Sequence, residues 1–117
     1  EDWVCKDERH RRMHTTQPQN AGAKQARCNY RVLERRSRAS LVEVELETGR
    51  KHQIRLQFGS RGHSVIGDRK YGSTLPFSAG IALHAERLAL IHPGSGKPLE
   101  FTALPPTTWR AYGIPSE

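Results

Sequence analysis

Two stretches in the middle of the chain alternate apolar and polar side chains with a period of two. In residues 42–47 three apolar residues alternate with three glutamates, and residues 28–33 show the same spacing less cleanly. Because successive side chains of a β-strand point to opposite faces, this period predicts two strands. The turn at residues 35–38 joins them, so we expect an antiparallel hairpin with one buried face.

The segment that follows, residues 52–58, is ambiguous between strand and helix. Apolar residues at positions 54, 56 and 58 continue the period of two and favour a third strand. Composition favours a helix, because Gln, Arg and Leu are good helix formers. Thr48 could cap a first turn, and Gly59 with Gly62 could end a short helix. Local sequence alone leaves both interpretations open.

The remaining segments carry turn and strand signals of differing strength. Residues 1–25 are polar and predict a loosely structured N-terminal arm, with room for one short strand near Trp3 to Cys5. Three glycines in residues 62–72 predict a tight loop. The turn-rich residues 92–98 lie between two apolar stretches and predict a second hairpin.

A helical turn at residues 108–112, with Trp109 as a packing anchor, would close the chain. Together these elements predict an α+β fold, in which a mixed, mostly antiparallel sheet is accompanied by a few short helices.

The charge balance favours a polyanionic partner. Nineteen Lys and Arg face twelve Asp and Glu, which gives a formal charge of +7 and a sequence pI near 10.0. Nucleic acid is the leading candidate, although any one basic cluster could be an ordinary solvated surface. Two cysteines without C-x-x-C spacing, and no apolar secretory segment, predict a reduced, cytoplasmic protein. No apolar stretch approaches the roughly 20 residues of a membrane span.

Four ordered motifs resemble the RluA family of RNA pseudouridine synthases. Residues 48–55 read T-G-R-K-H-Q-I-R, and residues 62–72 read G-H-S-V-I-G-D-R-K-Y-G. Residues 83–88 then read L-H-A-E-R-L, and residues 92–96 read H-P-G-S-G. The same elements follow one another in that family, and the likeness covers nearly the whole chain. The resemblance favours the helical interpretation of residues 52–58.

The resemblance implies an enzyme that isomerises uridine to pseudouridine in rRNA or tRNA, without a metal or an organic cofactor. Its chemistry needs an aspartate in a segment of the type H-R-L-D, and that segment does not occur in this sequence. The aspartates present are Asp2, Asp7 and Asp68, none of them in that context. We therefore expect residues 26–117 to be the C-terminal part of a catalytic domain, inactive alone and able to self-associate through surface exposed by truncation.

Two alternatives stay open at this stage. The chain could be a non-catalytic RNA-binding module, or one subunit of a split synthase whose partner chain supplies the aspartate. The sequence that precedes residue 1 in the parent gene would separate these possibilities from a truncated enzyme, because an H-R-L-D segment there supports the enzyme.

Arg55 is the residue that the resemblance places in the catalytic site, as the partner of the aspartate. A guanidinium keeps a carboxylate ionised and supplies two directed donors. Ile54 and Leu56 beside it either line the base pocket or pack in the core, with equal weight. The basic residues predicted to contact RNA are Arg50, Lys51, His52, Arg61, Arg69 and Lys70.

Some residues of the motifs have a structural interpretation as well. His52 could serve mainly to hold the motif through a local hydrogen bond. Gly67 and Asp68 are expected to shape the glycine loop, with the carboxylate capping turn N–H groups in preference to a catalytic role. Tyr71 is expected to pack against the motif helix, with stacking on a base as the alternative. His10 and His14 could share a helix face, but no third ligand lies near, so no metal site is predicted.

Overall fold

The computed structural model describes residues 1–78, 80–112 and 114. These residues form two compact units, the N-terminal unit (residues 1–64 and 70–72) and the C-terminal unit (residues 65–69 and 73–117). The strands are β1 Asp2–Asp7, β2 Arg12–Thr16, β3 Lys24–Ala26, β4 Cys28–Arg35, β5 Ser40–Leu46, β6 Arg87–Ile91 and β7 Pro98–Thr102. The helix α1 covers Gln53–Gly59, and 3₁₀ turns cover Arg69–Tyr71 and Thr107–Tyr112.

The first sheet of the N-terminal unit has the order β2-β1-β3, and both strand pairs are antiparallel. The short strand expected near Trp3 to Cys5 is present within β1, but the expectation of a loosely structured arm over residues 1–25 is wrong where β2 and the start of β3 form. Those two strands escape sequence analysis because each contributes few apolar side chains to the core. Val4, Met13 and Ala26 are all buried, yet they are spread over a polar stretch that shows no period.

The hairpin expected near residues 28–47 is confirmed as the antiparallel pair β4–β5, with a register shift between Val32 and Glu34. Its apolar face is less buried than the alternation predicts. Val32, Val42 and Val44 are half-buried, whereas Tyr30 and Leu46 at the same end are exposed. Alternation therefore predicts correctly that these residues form strands, but it does not predict how deeply the apolar face of the hairpin is buried.

Residues 53–59 are helical, so the helix favoured by composition and by the resemblance is confirmed, and α1 ends at the expected Gly59. The predicted cap is wrong. His52 occupies the N-cap position with a φ of 54° and no side-chain hydrogen bond to the first turn. Leu56 of α1 joins Val4, Met13, Ala26 and Tyr71 in the core of the N-terminal unit.

The C-terminal unit contains the second predicted hairpin, confirmed as the antiparallel pair β6–β7. Its first strand starts at Arg87, later than the apolar stretch from residue 81 predicts. The helical turn near the C-terminus is also present, and Trp109 in it packs edge-on against Phe77 at 6.2 Å between ring centroids. Position 112 is described for its backbone only.

The described chain is α+β, and each strand pair in it is antiparallel. The strands are divided among three small sheets instead of the one sheet that was expected. Over residues 1–78 and 80–112, no helix has the length and apolar content that crossing a membrane requires.

Candidate functional site

The motif at residues 48–55 is held in place by the side-chain amide of Gln53, a residue that is only 3% exposed. The Thr48 hydroxyl and the Arg50 N–H both donate to Gln53 Oε1, at 2.7 and 3.0 Å. Gln53 Nε2 donates to the carbonyls of Arg27 and of the Gln57 side chain, at 3.1 and 3.0 Å. Every hydrogen-bonding position of this amide group is used, as burial requires.

Gln57 lies one helical turn later on the same face of α1 and extends the network to β1. Its Nε2 donates to Asp2 Oδ2 at 3.0 Å and to the Ala26 carbonyl at 3.3 Å. The thiol of Cys28 donates to Gln57 Oε1, and partial burial raises the pKa of that thiol. Two glutamines at i and i+4 therefore join the motif helix to the first sheet.

Asp2 holds Arg61 in a bidentate pair. The two guanidinium nitrogens of Arg61 lie 2.8 and 3.1 Å from the two carboxylate oxygens. This hydrogen bonding holds the pKa of Asp2 below its ordinary value, against the opposing effect of burial. The guanidinium of Arg61 is half exposed in this pair, and its predicted contact with RNA remains a prediction.

Tyr71 is the centre of a second cluster. Its residue is 5% exposed, and its hydroxyl accepts the Met13 N–H at 3.0 Å and lies 2.7 Å from His52 Nδ1. Since the Met13 N–H can only donate, the hydroxyl is an acceptor there, and its role towards Nδ1 follows from the tautomer of His52. The guanidinium carbons of Arg12 and Arg55 lie 4.9 and 5.0 Å from the centroid of the ring.

Gly59 permits the close approach of this tyrosine to α1. A Cβ at position 59 would lie 2.7 Å from the Tyr71 carbonyl oxygen, closer than real side-chain carbons come to backbone. The expectation that Tyr71 packs near the motif helix agrees with this placement. The half-buried Arg55 extends from α1 over the aromatic ring, a cation–π geometry that restricts where the guanidinium can lie.

The other residues predicted for the site have varied surroundings. Leu56 packs in the core, which favours the core interpretation for that side chain, while Ile54 is half-buried and its pocket role stays a prediction. Arg50 donates from Nε to the Gln25 carbonyl at 2.8 Å. Lys51 is exposed. Contact of these side chains with RNA remains a prediction.

The glycine loop is divided between the two units. Lys70 belongs to the N-terminal unit and donates from Nζ to the Arg11 carbonyl at 3.1 Å. In the C-terminal unit, Gly67 has a φ of 85°, and a side chain there would collide with the Gly80 carbonyl. Asp68 is 1% exposed, and Arg69 is exposed.

The histidines considered for metal binding face different partners. His10 Nδ1 lies 2.8 Å from Asp7 Oδ2, and His14 Nε2 lies 3.1 Å from Cys5 Sγ. Both residues lie in or beside the β1–β2 hairpin, which replaces the shared helix face that their spacing suggested.

Sequence analysis missed Arg12, Gln53, Gln57 and Asp2. The spacing of the two glutamines on α1 was a usable signal once a helix was assumed, because i and i+4 share one face. Nothing in the sequence connects Arg12 with Tyr71, since 58 residues separate Tyr71 from the Met13 N–H that it accepts.

Comparison with known proteins shows which family this sequence matches. The sequence pattern of the RNA pseudouridylate synthase family matches residues 2–60. A ribosomal large subunit pseudouridine synthase D of Zymomonas mobilis is 43% identical over 90 residues, covering 68% of this chain and 28% of the relative. The protein of that name in Nitrosomonas europaea is 45% identical over 83 residues, covering 63% of this chain and 24% of the relative.

An RNA pseudouridine synthase of Synechocystis, described as uncharacterized, is 45% identical over 83 residues, covering 68% of this chain. The chain spans 24 to 28% of the length of these three relatives. The family pattern covers half of the chain, including the whole of α1 and both glutamines that anchor it. The chain belongs to the RNA pseudouridylate synthase family, as an RluA-type member.

Proposed function

We propose that this chain forms part of the catalytic domain of an enzyme that isomerises uridine to pseudouridine in RNA. In that reaction the bond from C1′ of the ribose to N1 of the base breaks, and a bond from C1′ to C5 forms. The hydrogen at C5 leaves and N1 gains a proton, so no redox partner is needed. The observation that carries the proposal is the placement of Arg55, in the family motif, against the buried ring of Tyr71.

In this proposal Arg55 orients the carboxylate that starts the chemistry. Its half-buried guanidinium has the forked geometry of donors that matches a carboxylate. His52 and Tyr71 hold the beginning of α1, and the exposed Lys51 is proposed to contact a phosphate of the RNA backbone.

The reactive carboxylate is proposed to come from an H-R-L-D segment that these 117 residues do not contain. Asp2 is engaged by Arg61 and Gln57, and Asp7 is engaged by His10. Asp68 is buried within the glycine loop. Residues 1–117 alone are therefore expected to bind RNA without isomerising it.

Ribosomal RNA is the proposed substrate class. The names of the relatives in Zymomonas mobilis and Nitrosomonas europaea refer to the large ribosomal subunit. Transfer RNA serves as the comparison substrate, since the sequence motifs alone do not separate the two. Faster turnover of transfer RNA than of ribosomal RNA would overturn this part of the proposal.

The test uses a chimaera in which residues 1–117 replace the matching segment of the Zymomonas mobilis relative. Activity is measured as tritium released from RNA that carries uridine labelled at C5. Arg55→Ala is expected to lower the turnover rate by about 100-fold or more, as the loss of an oriented charged donor does in other active sites. Arg31→Ala is the matched control, because Arg31 is an exposed arginine paired with Glu43.

Two results would contradict the proposal. Tritium release by residues 1–117 alone would place the reactive carboxylate within this chain. Full activity of the Arg55→Ala chimaera would remove the role of the guanidinium.

A further inference from the structure

The β1–β2 hairpin has a turn that carries Arg9 and Arg11 and leads into Arg12, the first residue of β2. These three arginines are named here the arginine turn. Its shape is fixed by Asp7, whose two carboxylate oxygens receive the His10 N–H at 3.2 Å and face His10 Nδ1 at 2.8 Å. This hydrogen bonding also holds the pKa of Asp7 below its ordinary value. The Asp7 carboxylate is thus engaged within the turn by His10 and by the backbone of Arg9.

A cation from another part of the N-terminal unit joins the arginine turn. Arg11 has a φ of 50°, a left-handed conformation that non-glycine residues seldom adopt. Its carbonyl accepts a hydrogen bond from Lys70 Nζ at 3.1 Å. An ammonium group has three donors, so Lys70 keeps donors for a second acceptor. Lys70 and Arg11 are both exposed, and the Lys70 ammonium lies against the backbone of the arginine turn.

The arginine turn is connected to the motif residue Arg55 through a single aromatic ring. Arg12 and Arg55 each place a guanidinium about 5 Å from the centroid of Tyr71. The left-handed His52 is bound to the hydroxyl of the same tyrosine. The consecutive residues Lys70 and Tyr71 therefore contact both non-glycine residues of positive φ found in the described part of the chain.

Three exposed arginines elsewhere in the described part of the chain lie beside carboxylates. Arg31 lies 3.1 Å from Glu43, Arg36 lies 3.1 Å from Glu34, and Arg87 lies 3.5 Å from Glu100. In the arginine turn, Glu8 instead lies beside Lys6 at 3.5 Å. Among the described residues, Arg9, Arg11 and Lys70 pair with no carboxylate, so their positive charge is uncompensated.

We propose that the arginine turn and Lys70 bind consecutive phosphates of an RNA strand beside the nucleotide that Arg55 addresses. Phosphate contacts of this kind fix the register of a strand without reading its sequence. They also release counterions, so they make affinity fall with salt in proportion to the number of contacts. The proposal rests on the proposed function for the identity of the polyanion, but it is tested by binding and not by turnover.

The test measures binding of residues 1–117 to a fluorescein-labelled oligouridylate, by anisotropy, over a series of salt concentrations. The variant Arg9→Gln/Arg11→Asn/Lys70→Gln removes three charges. Arg12 is left in place because it packs on Tyr71, and asparagine tolerates the left-handed conformation at position 11. The matched control, Arg31→Gln/Arg36→Gln/Arg87→Gln, removes the same charge from arginines that are ion-paired.

Each phosphate contact contributes about 0.7 to the slope of log affinity against log salt for a single strand. The triple variant is therefore expected to flatten the slope by about 2 and to weaken binding at low salt by roughly 10-fold or more. The control is expected to keep the wild-type slope. Equal losses in the two variants would overturn the proposal, because binding would then follow net charge alone.

A second variant, Arg9→Lys/Arg11→Lys, changes the same side chains but keeps their charge. It is expected to keep the wild-type slope of log affinity against log salt, so a loss there would indicate a folding defect. A wild-type slope in the Gln/Asn/Gln variant with normal circular dichroism also overturns the proposal. Arg55→Ala in the same chain separates this result from the proposed function. That variant is expected to bind RNA with nearly the wild-type slope while the corresponding chimaera loses tritium release.

Discussion

The first sheet of the N-terminal unit is polar in sequence and buries its few apolar side chains, whereas the hairpin of the C-terminal unit is apolar and exposes them. Val4, Met13 and Ala26 lie at positions that no periodicity marks, yet all three are buried. Leu88 of β6 and Phe101 of β7 are directly paired across the two strands, yet they are 59% and 56% exposed. Strand hydrophobicity alone therefore does not predict burial.

The difference arises from what packs on each sheet. In the N-terminal unit, α1 contributes Leu56 and the glycine loop contributes Tyr71, so that the small sheet has a second layer. The pair β6–β7 has two strands, and no buried apolar cluster forms on it among the described residues. A two-stranded hairpin gains stability only when a third strand or a helix covers one face.

Among the variants considered, truncating Leu56 should cause the largest loss of stability, because it removes packing that the N-terminal unit has and the β6–β7 hairpin lacks. Leu56→Ala is expected to lower the free energy of unfolding of the N-terminal unit by about 2–5 kcal/mol, because it leaves a cavity in a small core. Urea denaturation followed by Trp3 fluorescence, with Trp109→Phe as the background, reports on that unit. Ile91→Ala is the control, since that side chain is 63% exposed. Equal losses in the two variants would mean that the units do not differ in packing.

Removing one hydroxyl tests whether the core depends on polar contacts as well. Tyr71→Phe keeps the ring but leaves the Met13 N–H without its acceptor, which should cost about 1–3 kcal/mol. The same denaturation experiment measures it, and Tyr30→Phe is the matched control because Tyr30 is exposed. An unchanged midpoint for Tyr71→Phe would show that the buried N–H finds another partner.

The ion pair that joins β1 to the residues after α1 should give a smaller, pH-dependent effect. The pKa of Asp2 is held below its ordinary value of 3.8, mainly by hydrogen bonding to Arg61. Its contribution to stability is therefore fully present above that value and is lost as the pH falls through the lowered pKa. Asp2→Asn should cost about 1 kcal/mol at neutral pH, because Arg61 is half exposed.

The measurement is the free energy of unfolding of wild type and Asp2→Asn from neutral to acidic pH, where the two curves should converge. Glu8→Gln, which removes an exposed pair with Lys6, should show no such convergence. A constant difference between wild type and Asp2→Asn at acidic pH would contradict the assignment.

The smallest effect is expected on the exposed hairpin. Ile91→Lys should change the free energy of unfolding by no more than about 0.5 kcal/mol, since the side chain is already in water. Self-association through this apolar surface stays a prediction, and sedimentation of wild type and Ile91→Lys tests it. A loss above 2 kcal/mol would instead show that Ile91 is buried in solution.

Sequence analysis predicted the elements whose signals are local. The hairpin β4–β5 follows from alternation, and β6–β7 follows from a turn-rich segment between apolar stretches. The class of α1 was decided by the family resemblance, because its apolar residues also fit a strand. The physical reason for the helix is not local, since Gln53 and Gln57 bond to residues 27 and 26 of another strand segment.

The candidate site was predicted as a set of residues and not as an arrangement. Arg55, His52 and Tyr71 were all named from the motifs, and they meet in one cluster. The partners of Arg50 and Arg61 could not be predicted, because Gln25 and Asp2 lie 25 and 59 residues away. The sequence therefore does not distinguish basic residues that are free to contact a partner from those that hydrogen-bond within the fold.

The path of the chain restricts how this protein can be divided. The backbone leaves the N-terminal unit after residue 64, returns for residues 70–72 and leaves again. Tyr71, which completes the first core, is thus delivered by a segment that has already passed through the second unit. A protease cut or gene boundary near residue 65 would separate a core from its last member, whereas one after residue 72 would spare it.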